Sequence, residues 1–237
     1  MAAIISAIFP GPDGGPPYDP RLPIQRVDHP QSWGRIGKNM AWHHIIPYAL
    51  LRQVWNLLVD QHINTEHPRA RPALHDYILL LKPRLEGDVD LLLDQMRAER
   101  NKKKTAAVRA KDKSKTIPLK LAPLTLWDRD KLHKAAAWPV WNAVEGPEAR
   151  LRCDDPGGDR FEYFEGGLTQ DEVKRMTAIN ILFIQLKVFR DSKGKSLDAL
   201  INAIRNAAPS VRRCTGPIYY REAMWVYCDD KQRWQRA

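Results

Sequence analysis

The chain is poor in the residues that build several common kinds of site. Its three cysteines, Cys153, Cys214 and Cys228, are odd in number and share no CxxC spacing. They make neither a disulfide framework nor a zinc ribbon, so a reducing working compartment is expected. No run approaches the ~20 apolar residues of a membrane span. The most apolar stretch, Ala178 to Phe189, is interrupted by Asn180, Gln185 and Lys187 and reads as a buried core helix. The apolar start, MAAIISAIF, has no basic n-region and too few apolar residues for a signal h-region, so no signal peptide is expected. There is no Walker loop, no GxGxxG and no Gly-x-Ser-x-Gly. Nucleotide-cofactor and hydrolase-elbow chemistry therefore have nothing to stand on.

Acidic residues are also outnumbered. Asp+Glu 28 against Lys+Arg 38 leaves a formal charge of +10. Such a balance favours a polyanionic partner, nucleic acid before an anionic membrane, although a merely soluble basic protein carries the same charge. At 237 residues and 43% hydrophobic, the chain is able to bury a core as one large domain or two small ones.

What is present divides the chain into four parts. Residues 1–38 are rich in Pro and Gly and read as an irregular arm. Residues 39–100 hold the most distinctive motif. They contain helical periodicity over 47–61 (Leu50, Leu51, Val54, Trp55, Leu58, Val59), over 72–81, and over 85–100 (Val89, Leu92, Leu93, Met96). Residues 101–116 belong to a basic run in which nine of the 19 positions from Arg97 to Lys115 are Lys or Arg. That run is a phosphate-binding segment, with Lys102, Lys103, Lys104, Arg109 and Lys111 as its contacts, or a solubilising linker. Residues 117–237 form an α+β part packed on the same domain. A helix is expected over 128–142, a hairpin turning at Asp155-Pro-Gly-Gly, and a helix opened by the capping box Thr169/Glu172 and closed near Gly194. A further helix is expected over 196–208, then a strand in PIYYREAMWVYCDD and a basic tail. The fold class is mostly α with small β elements. The tripeptide Val54-Trp55-Asn56 recurs as Val140-Trp141-Asn142; two tripeptides make no repeat, and both tryptophans read as buried.

The motif is NMAWHHIIPYALLRQVWN, where His43 and His44 stand side by side before Ile-Ile-Pro. Neighbours in an extended segment point to opposite faces, so the two imidazoles have different surroundings and different jobs. Imidazole titrates nearest neutrality and is the commonest metal ligand. Phosphodiester hydrolysis needs a base to activate water and a cation to stabilise charge building on phosphate. An adjacent pair is able to divide these tasks; the bland alternative is a pair of structural histidines.

Trp42-His43-His44-Ile45-Ile46-Pro47 resembles the His-His-Ile-Ile-Pro signature of HNH/endonuclease VII-type nucleases. It is most similar to the AHH and WHH branches found as toxin domains of bacterial polymorphic toxin and secretion systems. The resemblance implies a ββα-metal-like site embedded in a helical domain, with one divalent ion (Mg2+, Mn2+, Zn2+ or Ni2+). It further implies cleavage of DNA, less often RNA. By position His43 is a metal ligand and His44 the general base. The later Asn comes from Asn56 or Asn64, and the later His from His62, His67 or His75, with His67 the leading second ligand. Where the family carries a β-hairpin between the pair and that Asn, this chain has a helical pattern. The resemblance also implies synthesis in a bacterial cytoplasm, delivery by a secretion system into a target cell, and a cognate immunity protein. Two other readings stay open: a nucleic-acid-binding protein with no activity, and a metal-independent His-based ribonuclease toxin. Glu66, Asp154-Asp155 and Asp229-Asp230 read as loop, turn or strand-end acids before they read as ligands.

Overall fold

Among the described residues, four long helices share one core, and two two-stranded β-ribbons add Val144 and Trp225 to it. The computed structural model describes residues 28, 30, 33, 37–65, 67–81, 89–94, 96–97, 134–154, 160–164 and 166–237. β1 (Met40–His44) leads through Ile45-Ile46-Pro47 into α1 (Tyr48–Asp60), which continues as a π-helical turn, Gln61–Thr65. α2 (Ala70–Leu81) and helical residues 89–94 follow. After residues 134–137 and a 3-10 turn (Val140–Asn142) comes β2 (Ala143–Pro147). α3 (Gln170–Asp191) and α4 (Leu197–Arg212) precede the hairpin of β3 (Trp225–Cys228) and β4 (Arg233–Arg236). The chain is thus mostly α with two two-stranded sheets, an α+β protein.

Spacing explains the helices. Leu50, Leu51, Val54, Trp55, Leu58 and Val59 lie on one face of α1, all at most 1% exposed. They meet Leu74, Tyr77 and Ile78 of α2 and Leu182, Leu186 and Phe189 of α3 in a single cluster. Val89, Leu92, Leu93 and Met96 join the same cluster. α3 begins at the capping box: Glu172 N–H donates to Thr169 Oγ1, and the Glu172 carboxylate receives Thr169 N–H at 2.8 Å. It ends where Gly194, at φ +86°, donates its N–H to Phe189 O at 2.8 Å. That is the left-handed cap glycine supplies without strain.

The strands depart from local expectation. Helix over 128–142 survives, within the described residues, only at 134–137. Pro139 and the β-branched residue after it end it, and 143–147 becomes β2. β2 pairs antiparallel with β1, His43 opposite Val144 and His44 opposite Ala143. The flanks of the expected hairpin do not pair with each other: Arg152 bridges Trp234, and 160–164 has no strand. The turn at 155–158 lies outside the described residues, as do 1–27 and the basic run 101–116. The basic tail holds β4, paired with β3. Its Arg236 reaches Asp154 at 2.6 Å, while Arg152, stacked 4.5 Å from the Trp225 ring centroid, pairs with buried Glu162 at 2.6 Å. No helix among the described residues is long and apolar enough to cross a membrane.

Candidate active site around the histidine pair

β1 carries the pair, and the two residues after it are held by every polar group they own. Ile45 N–H donates to Asn142 O at 2.9 Å, and Ile45 O accepts from Glu162 N–H at 3.0 Å. Ile46 N–H donates to Asn142 Oδ1 at 2.6 Å, while Asn142 Nδ2 donates to Ile46 O at 2.8 Å. Both isoleucines and Asn142 are fully buried, where an unpaired amide would be expensive. The turn bearing Asn142 is itself pinned. Trp141 Nε1 donates to Leu80 O of α2 at 2.8 Å. The buried Arg175 of α3 donates from Nε to Trp141 O and from Nη2 to Val140 O, each at 3.0 Å. It also donates from Nη1 to Gly216 O at 3.2 Å, and burial lowers its pKa. Three elements therefore fix the height and direction of the strand that presents the imidazoles.

The two rings face different neighbours, as the alternation of a strand requires. His44 Nε2 donates to Ala137 O at 2.6 Å, and its ring stacks on Trp138 at 4.0 Å with 22° between planes. Trp138 meets Trp33, which meets Trp42, so His44 belongs to an aromatic cluster on that side. His43 Nε2 donates to Pro147 O at 2.8 Å, and its ring lies 6.4 Å from Trp225. A carbonyl oxygen has no proton to give, so Nε2 carries the hydrogen in both rings. In the neutral form the lone pair of each is on Nδ1. Both residues are half-buried. Gly146 opposite Ala41 gives Trp225 room beside β2; a Cβ there would lie 2.2 Å from its Cζ2.

The other expected site residues are scattered. Asn56 is half-buried on α1; the amide that clamps the histidine segment is Asn142's, in the second Val-Trp-Asn. His67 is exposed before α2, its Nδ1 accepting Arg69 N–H at 3.2 Å. His62 is fully buried and donates from Nε2 to Leu93 O at 3.0 Å, with no partner for Nδ1 among the described residues; burial lowers its pKa. His75 lies beside Asp76 on α2, and Asp76 pairs with Arg205 at 2.7 Å. Asp154 is taken by Arg152 and Arg236. Burial acts to raise its pKa, but those two arginines and the Arg236 N–H outweigh it and hold the carboxyl below its usual range. Glu66, the Asn64 side chain, Asp155, Lys102, Lys103, Lys104, Arg109 and Lys111 lie outside the described residues.

Among the described residues no three His, Cys, Asp or Glu side chains gather into a group able to hold a metal ion. The donor set that the resemblance implies is not assembled by them. Comparison of the chain with family models, curated proteins and solved structures finds no match in any of the three. The geometry therefore carries the functional reading alone. Asn142, Trp138 and Arg175 were not foreseen as parts of the site. The single hint was the repeated Val-Trp-Asn, whose second copy precedes an alternating segment.

Proposed function

We propose that the chain is an endonuclease that hydrolyses phosphodiester bonds, DNA before RNA, with His44 as general base. We further propose that it acts as an antibacterial effector countered by an immunity protein. One observation carries the reading: each imidazole of the pair donates Nε2–H to a backbone carbonyl of a different segment. A base must be aimed, and a carbonyl on one nitrogen fixes the tautomer that leaves the lone pair on the other. His44 has the firmer hold, with a 2.6 Å hydrogen bond and a flat stack on Trp138. In the proposed step Nδ1 of His44 takes a proton from water as the water oxygen bonds to phosphorus. The leaving oxygen departs with the electron pair of the broken P–O bond. The imidazolium that results is stabilised by Ala137 O at its Nε2. The Asn142 clamp keeps the ring from turning away. The formal charge of +10 draws the polyanion without sequence choice.

A specific rival is favoured by the same half-burial: a nucleic-acid-binding protein whose histidines only tie strands together. Incubating the purified protein with plasmid DNA and with total RNA, with and without EDTA, separates these readings. Loss of either substrate supports the nuclease, and intact substrate under all conditions supports the binder. Chelator sensitivity reports whether a divalent ion takes part, and chelator-resistant loss of RNA alone identifies a metal-independent ribonuclease.

A further inference from the structure

The outward face of α3 is apolar where a surface helix is normally polar. α3 has 22 residues, and its exposed positions include Lys174, Thr177, Ile181, Ile184, Val188 and Asp191. This 3-4-3-4-3 spacing keeps one straight seam facing outward along a helix. Ile181, Ile184 and Val188 are 52%, 49% and 44% exposed, and among the described residues nothing covers them. Toward the N-terminal half of α3 the seam opens into an apolar groove of about 310 Å³ against α4, lined by Thr177, Ala178, Ile181, Ala203 and Ala207 among others.

We infer that this face is the interface of a symmetric dimer, in which α3 packs antiparallel on the α3 of a second copy of the chain. Self-complementarity makes the argument. With a two-fold axis between Ile181 and Ile184, Ile181 of one copy meets Ile184 of the other, and Thr177 meets Val188. The C-terminal half of each helix thus supplies projecting side chains, Ile184 and Val188. The N-terminal half supplies the groove that receives them. Charge agrees with the same register: Lys174 falls opposite Asp191 of the second copy, twice. Within its own helix Lys174 also lies 3.7 Å from Asp171, and Asp191 is also paired by its neighbour Arg190 at 2.8 Å. Asp171 in the first turn of one helix lies near Lys193 and Lys195 beyond the end of the other. Lys174, Asp191, Asp171, Lys193 and Lys195 are all exposed. An isologous contact requires that one patch fit itself, and this patch does so in shape and in sign. A chain of formal charge +10 repels its own kind, so a self-interface needs an apolar seam whose flanking charges are opposed in sign, as they are here. A single helix pair with a groove is at the small end of specific interfaces, which sets the expected affinity in the micromolar range, about 1–100 μM.

Sedimentation velocity of the full chain across this concentration range, at moderate salt, tests the inference. Wild type should pass from monomer to dimer. Ile184→Lys, at an exposed position that leaves the core intact, should raise Kd by on the order of 100-fold. Lys174→Glu and Asp191→Lys should each weaken the dimer about 3- to 10-fold, and the double variant should recover the loss, because the pair is swapped rather than removed. Circular dichroism establishes that each variant is folded. A monomeric wild type throughout, a dimer indifferent to Ile184→Lys, or charge-reversal losses that add rather than cancel would each overturn it.

Discussion

Replacing Asn142 with alanine should destabilise the protein far more than a single asparagine usually does. The side chain makes two hydrogen bonds to one residue, accepting Ile46 N–H at 2.6 Å and donating to Ile46 O at 2.8 Å. Alanine leaves both Ile46 groups buried with no partner, and the residue around them is fully inaccessible to water. An orphaned buried backbone group costs about 1–3 kcal/mol, so two cost about 2–6 kcal/mol. The strain that relaxation around a small cavity relieves brings the expectation to about 3–4 kcal/mol. Asn142→Asp keeps the acceptor for Ile46 N–H but loses the donor and buries a carboxylate, so it should be no milder. Asn56→Ala is the control. It removes one half-buried amide on a helix face rather than a double clamp on a fully buried residue, and alanine's higher helix propensity offsets part of that loss, so a smaller cost than for Asn142→Ala is expected. Urea unfolding followed by tryptophan fluorescence gives both numbers with the slope as a check on two-state behaviour. A cost below about 1 kcal/mol for Asn142→Ala, or a larger one for Asn56→Ala, would refute the clamp.

Gly146→Ala should cost about 1–3 kcal/mol, because the new methyl falls 2.2 Å from Trp225 Cζ2; Trp225→Phe in the same chain should recover part of that in a double-mutant cycle. His62 is buried neutral with its pKa lowered by burial. Its unfolded form therefore binds the extra proton, and stability should fall as pH drops below about 6.5, by at most about 1.4 kcal/mol per pH unit from this group. Replacing His62 with Gln should flatten that part of a melting-temperature profile, and an unchanged profile would remove His62 as the cause. Neutralising Lys102, Lys103 and Lys104 should weaken nucleic-acid binding and flatten its salt dependence by about 0.9 log unit per lost duplex contact; an unaltered slope would make that segment a linker only.

Local pattern explains the legible parts of the fold. Six apolar side chains at helical spacing mark α1, and Thr169 with Glu172 marks the start of α3, because a capping box needs only residues three apart. The pairing of β1 with β2 was not legible, since the Asn142 side chain reaches Ile46 across 96 positions and no local propensity encodes that contact. β4 was hidden for another reason. RWQR has no alternating apolar face, and its strand depends on β3 and on the Arg236–Asp154 pair. In α3 apolar content reads as burial, yet Ile181, Ile184 and Val188 face outward. At the site, the opposite facing of His43 and His44 follows from strand geometry alone. The aiming carbonyls of Pro147 and Ala137 belong to distant segments and were not foreseen.

The most direct test of the central claim is the cleavage rate of plasmid DNA and total RNA by wild type, His44→Ala and His43→Ala, each with its thermal melt. Wild type should degrade nucleic acid, and His44→Ala should lose about 100- to 10,000-fold in rate. His44→Ala should also stay folded, its melt lowered by losses that include the hydrogen bond to Ala137 O and the stack on Trp138, together about 1–2 kcal/mol. If His43 is the metal ligand that the resemblance implies, His43→Ala should lower activity together with the response to added divalent ion. Wild type that leaves both nucleic acids intact with divalent ions present, or a folded His44→Ala that cleaves at the wild-type rate, would contradict a nuclease with His44 as its base.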